Sequence, residues 1–417
     1  MIEELNKYTD ETWGIINEAE KDIGSRLPGS DGEKKFARLM ASKLDDIGIK
    51  PVEEEFIVSP RSSIGGIPYA GWVGLVCCLL VYFTFLTSAF WVAILGILIA
   101  LWTWLVCSVF LYKPWFDSMF KQKLSRNVYG ELLPEDGKYD YTIILSAHLD
   151  TSWNWIHSAT NNKTVIPKVI YGVLGMLYLT ATAIAGTVLT LSGVIPYFNF
   201  NAWRIANAVL PVIFAPGIYM LTLWNSNDEE IASRGAMDNA TGIAIAYETL
   251  KYFKENPDKM PKNCRIVDLN CGSEEAGLRG AMAFCKKHKN DGLLTNAYNI
   301  NIDSIADKDY YEVVHGDTWQ FTKFDKELEN MFMESMKEAG IKNPGNIVNP
   351  VGGCDSTPMH KAGVKTITFA AQNPTITSYY HTWMDVSERF DKQTVGTGLD
   401  VVLHVIDKIA KKEEGKI

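Results

Sequence analysis

From Ser62 to Tyr112 the chain carries no charged residue, and from Val169 to Trp224 it carries only Arg204. One α-helix needs about 20 apolar residues to cross a bilayer, so each block is long enough for two. Thr87-Ser88 is the expected turn in the first block. Ser192 to Asn201, with Gly193 and Pro196, is the expected turn in the second. Pro211 and Pro216 fall inside the last apolar run, where a membrane helix tolerates proline if neighbours satisfy the freed carbonyls. The alternative is a pair of core helices in a soluble protein, but uncharged runs this long and this aromatic are rare in such cores. Each block reads as a hairpin that leaves and returns on one side. Residues 1–61, 113–164 and 226–417 then form one globular domain in three parts, interrupted by transmembrane hairpins at 62–112 and 165–225. Arg61, Lys113, Lys121, Lys123, Arg126, Lys163, Lys168 and Arg234 flank the helix ends on the globular side, against Arg204 alone on the other. The positive-inside rule places the globular domain in the cytoplasm. A lipid bilayer is the first expected partner.

The hydrophobic share of 47% and charged share of 21% average over this contrast and hide it. A net charge of −9 without a basic stripe argues against a nucleic-acid partner. Seven cysteines, an odd number with no CxxC pair, argue against both a disulfide framework and a cysteine zinc site. The opening MIEELNKYTDETW has no basic and then apolar region, so it does not read as a secretory signal.

Without the hairpins, strands alternate with helices. Glu33 to Ile47 has apolar residues at helical spacing (Phe36, Leu39, Met40, Leu44, Ile47) and ends at Gly48. Val52 to Val58 alternates like a strand. YTIILS (141–146) and RIVDLN (265–270) are short apolar strands of the kind buried on both faces. Ala297 to Ile302 and Lys365 to Ala370 read as further strands. Thr241 to Phe253, Leu278 to His288 and Asp391 to Lys411 read as helices. This order predicts an α/β fold: a mainly parallel mixed sheet flanked by helices, with sites at the carboxyl ends of its strands.

His, Asp and Glu residues recur at those ends. YTIILS is followed by Ala147-His148-Leu149-Asp150, RIVDLN by Cys271-Gly272-Ser273-Glu274-Glu275, and AYNINI by Asp303. A Gly-rich turn holds Asp238 before a helix, and Tyr379-Tyr380-His381-Thr382-Trp383-Met384-Asp385 comes near the end. Imidazole and carboxylate ligands suit zinc, and a carboxylate between two cations can bridge them. Adjacent glutamates can split roles, one binding metal and the other acting as base. Asp150, two residues after His148, is placed to accept that histidine's other N–H. Taken singly, each of these has an ordinary structural alternative: a helix cap, a turn, a solvated surface pair. The argument for a metal site rests on their recurrence.

These segments resemble the M28 family of zinc peptidases, the aminopeptidase and glutamate-carboxypeptidase-like group. SAHLD, RGAMDNATGIA, NCGSEEAGLRGAMAF, NIDS and YYHTWMD are similar to its five motifs in order, and RLPGSDGEKKFARLMASKLDDIGIKPVEEEF to its entry helix and strand. The resemblance covers essentially all of the chain outside the hairpins. It implies a zinc-peptidase fold and two zinc ions per chain. Asp238 would bridge them, with His148 and Asp303 completing one site and Glu275 and His381 the other. It further implies Glu274 as general base and then acid, Asp150 as the residue orienting His148, and Tyr380 as an oxyanion-stabilising tyrosine with Tyr379 as its competitor. Gly352-Gly353-Cys354-Asp355-Ser356 resembles a substrate-pocket loop in which Asp355 meets a substrate amine or forms an ordinary turn. The implied activity is aminopeptidase action on peptides. Alternatives on the same fold are N-acyl amino acid hydrolysis, carboxypeptidase action or glutaminyl cyclisation, and of a different class, a non-catalytic membrane receptor or scaffold. A homo-oligomer is compatible with any of these. In one respect the chain departs from the family: the second hairpin fills the stretch between His148 and Asp238, which is short in most members. This placement raises the expectation of an active site facing the membrane, with Trp153 and Trp155 as interface residues.

Overall fold

The computed structural model describes residues 2–194, 202–226 and 228–415. Among the described residues, nine strands form one sheet: β1 (Val52–Val58), β2 (Lys123–Leu132), β3 (Tyr141–His148), β4 (Cys264–Cys271), β5 (Ala297–Ile305), β6 (Tyr311–Asp317), β7 (Thr322–Lys323), β8 (Gly345–Asn349) and β9 (Lys365–Ala371). Their order is β1-β2-β4-β3-β5-β9-β6-β7, with β8 paired to β6. The expected predominance of parallel pairing is corrected here. β3 with β4, β3 with β5, β5 with β9 and β6 with β8 are parallel. β1 with β2, β2 with β4, β6 with β9 and β6 with β7 are antiparallel. Crossover helices make the centre parallel, whereas the flanks are built from strands that meet their neighbours head to tail.

The helices are α1 (Ile2–Asn17), α2 (Asp31–Asp46), α3 (Ile67–Phe83), α4 (Ala89–Trp104), α5 (Ile156–Asn161), α6 (Val165–Leu191), α7 (Ala202–Thr222), α8 (Thr241–Glu255), α9 (Arg279–Lys287), α10 (Lys326–Glu338), α11 (Ser356–Lys361) and α12 (Lys392–Glu413). Every residue of β3 and β4 is buried. Alternation along β3 sends Ile143 and Leu145 into a core shared with α1, α2, α8, α10 and α12. Ile144 points the other way, onto Phe284 of α9 and Met359 of α11. The sheet is therefore covered on both faces, and each such aliphatic side chain contributes about 1.5–3 kcal/mol of burial.

Among the described residues, four helical stretches are long and apolar enough to cross a membrane: Ile64–Phe83, Ala89–Phe110, Ile156–Leu191 and Ala202–Thr222. Thr87 and Ser88 lie in the first turn, as expected. Of the expected second turn, residues 195–201 lie outside the described residues. The third stretch begins at Ile156, before the expected boundary at 165, because α5 runs on through a short 3-10 turn into α6. α3 and α6 both pack on α7, and α4 packs on α6. Glycine permits the closest approaches: a Cβ at Gly71 would stand 2.6 Å from the Thr222 nitrogen, and one at Gly186 2.3 Å from the Trp91 ring. At the prolines of α7, the Ala208 carbonyl accepts the Tyr82 hydroxyl at 2.9 Å and the Ile213 carbonyl accepts that of Tyr171.

Candidate active site

The carboxyl ends of β3, β4 and β5 bring the predicted residues together. His148 is the last residue of β3 and pairs in register with Cys271, the last of β4. Glu274 and Glu275 follow β4, Asp303 lies near the end of β5, Asp238 precedes α8, and His381 sits on the loop after β9. His148 Nε2 is 3.0 Å from Asp238 Oδ1 and 3.7 Å from Asp303 Oδ1. His381 Nε2 is 2.9 Å from Asp238 Oδ2 and 3.1 Å from Glu275 Oε1. The result is two triads, His148–Asp238–Asp303 and Asp238–Glu275–His381, each with its ligand atoms within 4.8 Å of one another. Asp238 belongs to both and presents one oxygen to each histidine.

Buried polar groups hold this frame. The Asp150 carboxylate accepts the backbone N–H of Glu274 at 2.9 Å and of Glu275 at 3.0 Å. The expected contact to His148 is made differently: Nδ1 lies 3.0 Å from the Asp150 backbone carbonyl and 3.6 Å from its carboxylate. Asp150 thus fixes the histidine through its main chain and the glutamate pair through its side chain. Asp385, to which the sequence reading gave no role, accepts the backbone N–H groups of Met237 at 2.8 Å and Asp238 at 3.1 Å. Its position four residues after His381 was the available signal.

Arg26 also went unnoticed in the sequence. It is fully buried and donates to the carbonyls of Leu149 at 2.9 Å, Arg234 at 2.9 Å and Gly235 at 2.8 Å, tying the His148–Asp150 loop to the Asp238 turn. Gly235 allows this approach: its φ is +63°, and a Cβ there would stand 2.2 Å from Thr151 Cγ2. Burial pushes the guanidinium down to about 10, opposed by the charges of Asp385, Asp150 and Asp238, so it stays protonated at neutral pH. Arg26→Met is expected to cost about 3–5 kcal/mol, because several buried carbonyls and carboxylates lose their cation together. Thermal unfolding in detergent checks this, and a loss below about 1 kcal/mol would refute it.

The remaining predicted residues separate. The Tyr380 ring stacks on His381 with centroids 3.8 Å apart, and its hydroxyl stands in the field of Asp238, Glu275 and Asp303. The Tyr379 hydroxyl donates to Asp307 at 2.6 Å, and Arg389 covers its ring. Asp355 is 1% exposed beside Cys271, with both oxygens unpartnered. Trp153 and Trp155 also point inward. Trp153 is buried under Arg61. Trp155 meets the His381 ring edge-on at 4.5 Å, and its backbone N–H donates to the His381 carbonyl at 2.8 Å. Trp224, where the second apolar hairpin ends, packs on Trp155 at 4.9 Å. Both ends of that hairpin therefore brace the loop that carries a triad histidine.

The charge balance of the cluster fits divalent cations. Burial works against the charge of Asp238, yet hydrogen bonds from His148 and His381 hold its carboxyl below the usual range. Burial opposes a charge on His381 too, but the neighbouring Glu275 and Asp238 carboxylates push it up to about 10. Glu275 Oε1, facing His381 Nε2 without the alignment of a hydrogen bond, is buried and unpartnered. An imidazole nitrogen and carboxylate oxygens converging on one point, with one acceptor unsatisfied, form a donor set of the kind zinc takes.

Residues 222–406 match the model of peptidase family M28. Aminopeptidase YwaD of Bacillus subtilis (strain 168) is 25% identical over 193 residues, a match covering 44% of this chain and 39% of that protein. Among solved structures, a zinc aminopeptidase from Bacillus subtilis superposes with a TM-score of 0.56 at 13% identity, covering 96% of this chain and 95% of that one. An aminopeptidase from Aneurinibacillus sp. strain AM-1 gives 0.54 at 11% identity, over 96% and 93% of the two chains. A glutaminyl cyclase from an Acidobacteriales bacterium gives 0.55 at 13%, over 97% and 95%. These likenesses establish the shared fold. The match to the peptidase family M28 model runs through four of the five triad residues, so residues 222–406 resemble that family where the site is built.

Proposed function

We propose that this protein is a membrane-anchored zinc aminopeptidase that holds two zinc ions and removes N-terminal residues from peptides. The observation that carries the reading is the pair of triads sharing Asp238, with Glu274 beside them and outside both. His148 and Asp303 would hold one ion, Glu275 and His381 the other, and Asp238 both. When bound, the ions supply Lewis acidity: they lower the pKa of water toward ~7 and polarise a carbonyl. The chain's own residues do the rest. Glu274, its backbone fixed by Asp150, takes a proton from the attacking water and returns it to the leaving amine. Tyr380 donates its hydroxyl to the developing oxyanion. Residues 62–112 and 165–225 anchor the enzyme in the bilayer, and the flanking lysines and arginines favour a cytoplasmic catalytic domain.

The test uses the full chain taken from membranes washed with alkaline carbonate, which should leave it in the pellet. In detergent it should release the reporter from aminoacyl p-nitroanilides, and a chelator should abolish the release. Turnover of N-acyl amino acids or cyclisation of N-terminal glutamine alone would move the function to the amidase or cyclase alternative. No metal-dependent turnover at all would favour a scaffold, and release of the chain by carbonate would refute the membrane anchor.

A further inference from the structure

The first apolar hairpin does not simply return to the sheet. Its last helical turn ends at Phe110, whose carbonyl accepts Gln320 Nε2 at 2.6 Å and whose ring stacks on Trp319 at 4.6 Å. Ser63, at the hairpin's entry, donates to the Ser108 carbonyl at 3.0 Å. The exit is then bent sharply at Tyr112, where φ is +50°. A tyrosine in the left-handed region is strained and persists where surroundings impose it. Here Arg279 imposes it, donating to the Tyr112 carbonyl at 2.7 Å while gripping both Asp117 oxygens at 3.0 Å.

This bend sends the Tyr112 side chain between the two loops that border the candidate active site. Gly277 lies two residues after Glu275, and a Cβ there would stand 3.3 Å from Tyr112 Cδ1. Gly352 and Gly353 lie just before Asp355; Cβ atoms there would stand 3.5 Å from the Tyr112 hydroxyl and 3.0 Å from Cε2. Three glycines thus leave room for one ring. The residue is 3% exposed, and the carboxylate acting most strongly on its phenol is that of Glu274, followed by Asp317 and Glu275. Asp317 is already engaged by the Cys354 N–H at 3.1 Å and by the Thr357 hydroxyl at 2.5 Å. The Tyr112 hydroxyl makes no hydrogen bond to any described residue. The hydroxyl is not among the sealed-off polar atoms, so a donor near the proposed base is left free to meet a ligand.

We propose that Tyr112 is a substrate-contacting residue: its ring walls the pocket on the Glu274 side and its hydroxyl bonds the bound peptide. The proposal rests on the aminopeptidase reading and deepens it, because the first hairpin then supplies part of the pocket as well as an anchor. It also predicts that the size of the accepted N-terminal side chain is set partly by a residue outside the family's own motifs.

The experiment compares wild type with Tyr112→Phe and Tyr112→Leu, in the full chain loaded with zinc. Alanyl, leucyl and phenylalanyl p-nitroanilides report turnover, and calorimetric titration with leucine hydroxamate reports pocket binding without turnover. Tyr112→Phe keeps the ring and loses one hydrogen bond. It should raise KM and the hydroxamate Kd roughly 3- to 10-fold, with kcat within about twofold and zinc content unchanged. Tyr112→Leu should shift the phenylalanyl-to-alanyl ratio of kcat/KM at least ~10-fold. Unchanged KM, Kd and substrate ratio in both variants would overturn the proposal. A lower folded yield with those constants unmoved would mean that Tyr112 only braces the fold, and would overturn it too. Wild type that binds the hydroxamate but turns over no substrate would defeat the aminopeptidase reading instead, and the Kd series would still decide the pocket role.

Discussion

Glu274→Gln is expected to lower kcat by at least ~10²-fold while leaving zinc content and KM nearly unchanged. The geometry separates Glu274 from the ligands: it belongs to neither triad, whereas Glu275 approaches His381 at 3.1 Å. Its backbone is nevertheless fixed as firmly as theirs, by the Asp150 carboxylate at 2.9 Å. Burial first, then the neighbouring Glu275 charge, pushes its carboxyl well above the usual range, with His148 working the other way. A group so placed takes and returns a proton readily. Glutamine preserves its size and polarity but cannot do either. If the variant kept more than about a tenth of wild-type kcat, proton transfer by Glu274 would not limit the reaction. If it lost zinc instead, Glu274 would be a ligand and the division of roles between the two glutamates would be wrong. Elemental analysis beside steady-state kinetics distinguishes the two.

His148, Glu275 and Asp303 were legible because each lies at or just past the end of a strand that looks like one, and Asp238 because a Gly-rich turn precedes its helix. YTIILS and RIVDLN are uninterrupted apolar runs, and the residues after them are polar, so the sheet's central register and its carboxyl edge could be read directly. The flanks were hidden by buried polar residues. β2 carries Ser125 and Asn127 at fully buried positions, and β6 carries Glu312 and Asp317, so neither shows the apolar alternation of a strand. Asn127 is there to bridge loops: it donates to the Gly280 carbonyl at 3.0 Å and accepts the Gly272 N–H at 3.0 Å. β2 and β6 take part in all four antiparallel pairings, and missing them is why the sheet looked mainly parallel. The supports of the site were hidden for another reason. Arg26 acts through contacts to chain segments distant in sequence, which leave no local pattern, and Asp385 through main-chain N–H groups, with only its place after His381 to mark it. Trp155 was read as a surface aromatic because tryptophan beside an apolar run usually marks an interface. Here it is turned inward onto His381.

Asp238→Asn is expected to remove more zinc than any other single ligand change. In Asp303→Asn the His381 triad stays intact, and in Glu275→Gln the His148 triad stays intact, so each should retain about one ion per chain. Asp238 serves both, with Oδ1 at 3.0 Å from His148 and Oδ2 at 2.9 Å from His381. An amide keeps one neutral acceptor and turns the other into a donor aimed at a histidine nitrogen. Losing an outer partner of a metal ligand already costs 10- to 100-fold in affinity, so loss of a shared ligand should lower zinc below about one per chain and activity by more than ~10²-fold. The fold should survive, because the Met237 and Asp238 N–H groups are held by Asp385 and do not depend on the substituted side chain. The three stoichiometries therefore test whether the ions share a bridge. Equal losses in all three variants would mean that the sites are independent or that only one ion is held. Two ions retained in Asp238→Asn would show that the shared carboxylate does not bridge them.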